Sequence, residues 1–444
     1  MSARKTVLRP DRTNLESKMA SSQTRAPASA LADRLVGRLF RYLAVTSQSD
    51  AGATMVPSTS GQWDMARLLQ RELEELGLSD IHLDDHAVLT ARLPGTVEGA
   101  PRIGFCAHVD TVDVGLSPHI HPRLVAFDGA DLCLNQERMI WMRVAEHPEL
   151  LPYVGQMLVV TDGTSVLGAD DKAAVSVVMT LLETLVRERP AHGDVLVAFV
   201  PDEEIGLRGA KAMDLARFPA EFAYTIDCCA LGEFVAETFN AAQATITITG
   251  VTAHPMSAKG VLVNPILVAA DLIARFDPLD TPEHTDGRQG YCWCNGLTAN
   301  ALTATLSVSI RDFDPQGFAD RKARLEAMVA LTASAHPRAA ISVRIDDVYA
   351  NVANGLVHDQ RSVALMRAAY EAEGIVPNVI AMRGGTDGSA LSARGIPTPN
   401  LFTGALNFHS EFEFLPVPSF VRSYEVAARI VALGAGQGVR STGD

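Results

Sequence analysis

Three short apolar, β-branched runs, residues 102–109, 194–200 and 222–226, are separated by segments with helical spacing of apolar residues. This alternation constrains the chain more than any other feature. Strands separated by helices pair in parallel, so an α/β fold is expected: a mostly parallel sheet with helices on both faces. Helical spacing covers residues 31–43, 62–76 and 171–189, and Gly77 is a stop signal after the second. Near Asn240 the period changes. Residues 244–250, 303–312 and 341–345 alternate with period two, and residues 264–276 and 317–335 have helical spacing. The order β-α-β-β-α-β, or close to it, implies a smaller α+β, ferredoxin-like domain inserted into the larger one. The α/β pattern returns at about Asn351 and closes with a helix over 419–433. The expected organisation is therefore a disordered extension over 1–30, a catalytic domain from 31–239 and 350–436, and a lid or dimerisation module over 240–349. A chain of 444 residues accommodates two or three domains.

Composition excludes several functions. No run approaches the roughly 18 consecutive apolar residues of a membrane helix, so no membrane partner is expected. A net charge of -14, from 38 basic and 52 acidic residues, argues against nucleic acid, whose phosphates need clustered Lys and Arg. None of the six cysteines forms a CxxC pair, and six in so long a chain make no disulfide scaffold. Free thiols and the lack of an apolar signal segment point to the cytoplasm.

The polar residues that interrupt this pattern cluster at predicted strand ends. His108 and Asp110 close the first run, and residues i and i+2 point to one side of a strand. A metal-ligating histidine usually gives its second nitrogen to a carboxylate, although a surface His–Asp pair reads the same way. Asp170 and Asp171 precede a helix, as an N-cap or as a carboxylate shared by two metals beside one that caps. Asp202, Glu203 and Glu204 follow the second run, between Pro201 and Gly206. Neighbours in extended chain point opposite ways, so Glu203 and Glu204 suit different tasks, ligand and general base; a solvated acidic loop is the plainer reading. Asp227 ends the third run, and His409 lies in NFHSEFEF. Carboxylates and imidazoles together suit zinc, manganese or cobalt.

In order and spacing, GFCAHVDTVD, SPHIHP, TDGTSVLGADDKAA, VAFVPDEEIG, YTIDCCALGEFVAETFNAA, SIRDFD, RGGTDGSALSARGIPTPNLFTG and NFHSEFEF resemble the peptidase T family of the aminoacylase-like di-zinc exopeptidases. The resemblance runs from about Leu31 to Leu433. It implies an aminopeptidase that removes the first residue of short peptides, notably tripeptides. It also implies two Zn2+ per subunit, with Mn2+ or Co2+ as substitutes. By the same resemblance His108 binds one metal and His409 the other, and Asp170 bridges them, followed by a cis peptide to Asp171. Glu204 holds the metal that Asp227 does not, Glu203 is the general base and Asp110 orients His108. His254, in GVTAHPMSAKG, is expected to stabilise the oxyanion, in some relatives from another subunit; a loop histidine beside Pro255 is the alternative. Arg311 and Arg383 are expected to grip a peptide carboxylate, or to form structural ion pairs, while Gly384 and Gly385 let backbone approach the ligand. A homodimer through the inserted domain is a further expectation. The alternative function is another exopeptidase of the superfamily: a dipeptidase, a carboxypeptidase or an N-acyl amidohydrolase. Two features depart from the family: Cys228-Cys229 after Asp227, and residues 126–141.

Overall fold

The computed structural model describes residues 30–438, so the expected N-terminal extension lies outside the described residues except for Ala30. The first six strands are β1 (Ser79–Leu83), β2 (Leu89–Leu93), β3 (Ile103–His108), β4 (Arg123–Ala126), β5 (Leu132–Asn135) and β6 (Ile140–Met142). Next come β7 (Met157–Val160), β8 (Val195–Val200), β9 (Phe222–Cys228), β10 (Glu233–Thr238) and β11 (Asn240–Thr249). The last are β12 (Tyr291–Ala299), β13 (Thr303–Asp312), β14 (Ala340–Tyr349), β15 (Asn378–Met382), β16 (Asn400–Phe402) and β17 (Phe414–Pro416). The helices are α1 (Ala30–Leu43), α2 (Ser60–Leu76), α3 (Ala169–Glu188), α4 (Arg208–Ala212), α5 (Pro265–Ile273), α6 (Pro315–Ala335), α7 (Val352–Leu356), α8 (Arg361–Ala372), α9 (Asp387–Ala393) and α10 (Val417–Gly438).

Eight strands form the main sheet in the order β1-β2-β8-β3-β9-β16-β10-β15. Four of its seven ladders are parallel. The central strands β3, β8 and β9 are buried along their whole length, which is why they read as unbroken apolar runs rather than alternating ones. On one face α1, α3, α8 and α10 bury Leu39, Val178, Met366 and Val426 in the main core. On the other, Met213, Phe218, Leu391 and Ile396 cover the sheet. The expected α/β sheet with helices on both faces is what the chain forms.

The second sheet, β12-β13-β11-β14, is antiparallel throughout. Taken in chain order its strands lie 2-3-1-4, with α5 and α6 on one face around Ile246, Leu272, Leu306 and Leu325. β11 alternates buried and half-buried residues because its other face has no such cover. β12 escaped the periodicity because it is an edge strand, mostly open to solvent. The pieces β4 to β7 and β17 form two small sheets beside the main one. No described helix is long and apolar enough to cross a membrane.

Candidate functional site

The parallel neighbours β8, β3 and β9 end side by side, and open α/β sheets carry their sites outside such carboxyl ends. His108 is the last residue of β3, Glu203 and Glu204 follow β8, and Asp227 lies at the end of β9. The chain leaves β8 through a turn that begins at Asp202, in a left-handed conformation. Asp202 turns away from the other two acids. Its carboxylate accepts from Ser58 N–H at 2.8 Å, Ser58 Oγ at 2.5 Å and Gln62 Nε2 at 2.7 Å, and its own N–H donates to Gln62 Oε1 at 2.9 Å. That anchor ties the turn to α2 and leaves Glu203 and Glu204 to line a cavity of about 580 Å³.

Asp170 stands between two imidazoles. Its Oδ1 is 2.9 Å from His108 Nε2 and its Oδ2 is 3.1 Å from His409 Nε2. The Asp170–Asp171 peptide is cis, and neither residue has helical angles although α3 begins beside them. His409 Nε2 also lies 3.1 Å from Glu204 Oε2. One atom each of His108, Asp170 and Glu204 fall within 4.8 Å of one another. Asp227 lines the same cavity, and its N–H donates to Asn400 Oδ1 at 2.8 Å.

Asp110 does more than orient a ring. His108 Nδ1 lies 3.1 Å from the Asp110 carbonyl and 3.4 Å from its carboxylate. Two oxygens at Nδ1 hold a proton there, so Nε2 is the nitrogen that faces Asp170, donating to it while the ring is charged and free to meet a metal when the ring is neutral. The same carboxylate accepts the backbone N–H groups of Glu203 at 3.1 Å and Glu204 at 3.2 Å. It therefore links the ends of β3 and β8.

Charge in the centre is unbalanced. Burial pushes Glu203, Asp227 and Asp171 well above the usual carboxylate range, and brings Glu204 up to about 7. Burial acts on Asp170 in the same sense, but hydrogen bonds from His108 and His409 outweigh it and hold it below its ordinary value. Burial opposes charging His409, yet Asp170 and Glu204 raise it to about 11. Buried carboxylates this close stay ionised only around positive charge. Glu204 Oε1 is buried without a hydrogen-bond partner, an acceptor open to an ion. Carboxylate and imidazole donors of this kind fit zinc, manganese or cobalt.

Two supports were not singled out from the sequence. Glu413 accepts from Gly168 N–H at 2.8 Å and Asp170 N–H at 3.2 Å, and burial raises its carboxyl to about 8. Asp387, at the start of α9, is buried with Oδ1 unpartnered and is raised by burial to about 7. Of the predicted substrate contacts, Arg311, Gly384 and Gly385 line the cavity. Arg311 lies over the Tyr349 ring at 5.7 Å, and a Cβ on Gly385 would come within 2.6 Å of that ring, so only glycine fits. Arg383 does not line the cavity. It donates to Gln289 O at 2.6 Å and Thr285 Oγ1 at 2.7 Å and packs over Phe239 and Tyr291, a tie between the two sheets. His254 also lies outside the cavity, on an exposed turn where its Nδ1 accepts Met256 N–H at 3.2 Å. All six cysteines are free; Cys228 and Cys229 line the cavity and Cys292 is buried in the second core.

The model of peptidase family M20/M25/M40 matches residues 162–433. A peptidase T-like protein of Yersinia pestis is 59% identical over 406 residues, which cover 91% of this chain and 98% of that protein. Peptidase T of Geobacillus thermodenitrificans is 40% identical over 402 residues, 90% of this chain and 98% of that one. Among solved structures, the aminopeptidase PepT of Bacillus cereus has a TM-score of 0.70 at 23% identity, covering 91% of this chain and 99% of that chain. With a family model spanning most of its length, and relatives alike from end to end, the chain belongs to peptidase family M20/M25/M40.

Proposed function

We propose that the chain is a metal-dependent aminopeptidase that removes the N-terminal residue of tripeptides. One observation carries the reading: Asp170 presents one oxygen to each of two imidazoles, the disposition of a carboxylate shared by two ions. His108 and Asp227 would hold one ion and Glu204 and His409 the other, and zinc would suit the set, with Mn2+ or Co2+ as substitutes. The preference for tripeptides rests on likeness to relatives named peptidase T.

When bound, the metals lower the pKa of a water toward neutrality and polarise the scissile carbonyl. The Glu203 carboxylate takes the proton of the attacking water and passes it to the leaving amine. Its raised proton affinity suits a base that must hold the proton between those steps. Asp110 keeps the His108 proton on Nδ1. Arg311 takes the peptide carboxylate, and Gly385 makes room for the Tyr349 ring that Arg311 lies over. A cavity of about 580 Å³ admits a short peptide and excludes a folded one. Residues 240–349 act as a lid, and His254 reaches the reacting atoms only after closure or from a second copy.

The test is hydrolysis of an unblocked tripeptide, its N-acetylated form and its C-amidated form by zinc-loaded protein and by Glu203→Ala. Release of the first residue only from peptides with a free N-terminus, abolished in the variant with zinc retained, is the expected result. Cleavage of the N-acetylated peptide would instead assign a carboxypeptidase or acyl-amide hydrolase.

A further inference from the structure

One carboxylate in the cavity has no part in the centre. Glu233 lines the same space as Asp170, Glu203, Glu204 and Asp227, and lies in the CCALGEF stretch after Asp227, which the catalytic roles leave unexplained. Its placement is built. Glu233 Oε2 accepts the Cys229 N–H at 2.8 Å. Its N–H donates to Ala230 O at 3.0 Å, and its carbonyl accepts the hydroxyl of buried Tyr370 at 2.6 Å. Residue 233 also opens β10, in register with Asn378 of β15. Among the described residues no Lys, Arg or His side chain pairs with it; burial alone raises its carboxyl, against two backbone hydrogen bonds. It is a fixed, half-buried carboxylate whose side chain gains by meeting a cation.

In a peptide cut after its first residue, the amine nitrogen and the scissile carbon share one Cα and are roughly 2.5 Å apart. Whatever takes the ammonium must therefore stand close to the metal ligands without being one of them. Cys229, which holds the Glu233 carboxylate, is two residues past Asp227, a span of at most about 7 Å. The cationic Arg311 in the same cavity repels an ammonium and attracts a carboxylate, so the two side chains give the cavity a direction.

We infer that Glu233 anchors the free α-ammonium of the substrate and sets the requirement for an unblocked N-terminus. The inference rests on the aminopeptidase reading. A blocked peptide brings no charge and leaves a half-buried carboxylate unpaired, the kind of mismatch that rejects analogues strongly.

Glu233→Gln keeps an oxygen for the Cys229 N–H and removes the charge. The experiment measures kcat and KM for wild type and variant on a free tripeptide and on its desamino analogue, with zinc content determined for each protein. KM for the free tripeptide is expected to rise roughly ten- to a hundredfold, with zinc content and desamino kinetics unchanged. Glu233→Asp, which retains the charge one methylene further back, is expected to raise KM less. An unchanged KM in a variant whose wild type still demands a free amine overturns the inference and leaves the aminopeptidase reading intact. So does loss of zinc with a fall in kcat alone, which assigns Glu233 to the scaffold. Equal cleavage of free and desamino peptides by the wild type overturns both.

Discussion

At Asp110 a single carboxylate lies 3.4 Å from His108 Nδ1 and accepts the N–H groups of Glu203 and Glu204. Asn in its place has one acceptor oxygen for two loop N–H groups and a ring nitrogen. Asp110→Asn is therefore expected to weaken zinc binding about 10- to 100-fold, measured by competition with a coloured chelator. Glu203→Gln acts differently: it is expected to lower kcat by about 10²–10⁴ with zinc affinity kept, because the role proposed for Glu203 is proton transfer. If Glu203→Gln lost zinc instead, Glu203 and Glu204 would have to exchange roles. The sequence reading separated these two acids because adjacent residues in extended chain diverge, whereas they lie in the turn after β8 and both line the cavity. It could not show that Asp202 joins neither task, since its partners Ser58 and Gln62 are about 140 residues earlier. Glu413 escaped for the same reason: its partners Gly168 and Asp170 lie at the start of α3, 245 and 243 residues earlier.

Among elements, the turn after β8 decides whether the site is rigid. It is stapled to α2 through buried Gln62, which both donates to and accepts from Asp202. Gln62→Ala leaves those groups unsatisfied and is expected to cost about 1–3 kcal/mol, read as a lower midpoint in urea with zinc bound. A midpoint equal to wild type would show that the turn holds without its staple. Gly385 is the second constrained element end, packed on the Tyr349 ring. Gly385→Ala is expected to raise KM for tripeptide by displacing Tyr349 and Arg311; an unchanged KM would remove this edge from the substrate site. Buried strands were legible because β3, β8 and β9 carry apolar residues on both faces. Half-exposed β12 and the small strands between Arg123 and Val160 were not, since their order comes from neighbours rather than from periodicity.

For the whole molecule, stability follows the charge of the centre. Glu204 and Asp387 at about 7 and Glu413 at about 8 are raised above their ordinary values of 4.5, 3.8 and 4.5. A raised carboxyl contributes stability that is fully present below its unfolded pKa and is lost as pH rises through the folded one. Lys172, depressed by burial to about 7, works the other way, its contribution growing as pH rises from about 7 toward its ordinary 10.5. With three carboxyls against one amine, chelator-treated protein is expected to have a lower Tm at pH 8 than at pH 5.5. Added zinc is expected to raise Tm more at pH 8, because its ligands must be deprotonated to bind. Equal zinc-induced shifts at both pH values would count against these groups as the source. At this scale the change of period near Asn240 made the second sheet legible. The reach of His254 and Arg383 was not, because it depends on how that sheet sits against the first.

The proposed ligands are far apart along the chain, from His108 to His409, and Glu413, which braces Asp170, comes later still. On the proposed assignment, a nascent chain holds no complete centre until residue 409 has emerged from the ribosome. In cell-free translation, peptidase activity should lag behind the appearance of residue 409 rather than grow with chain length.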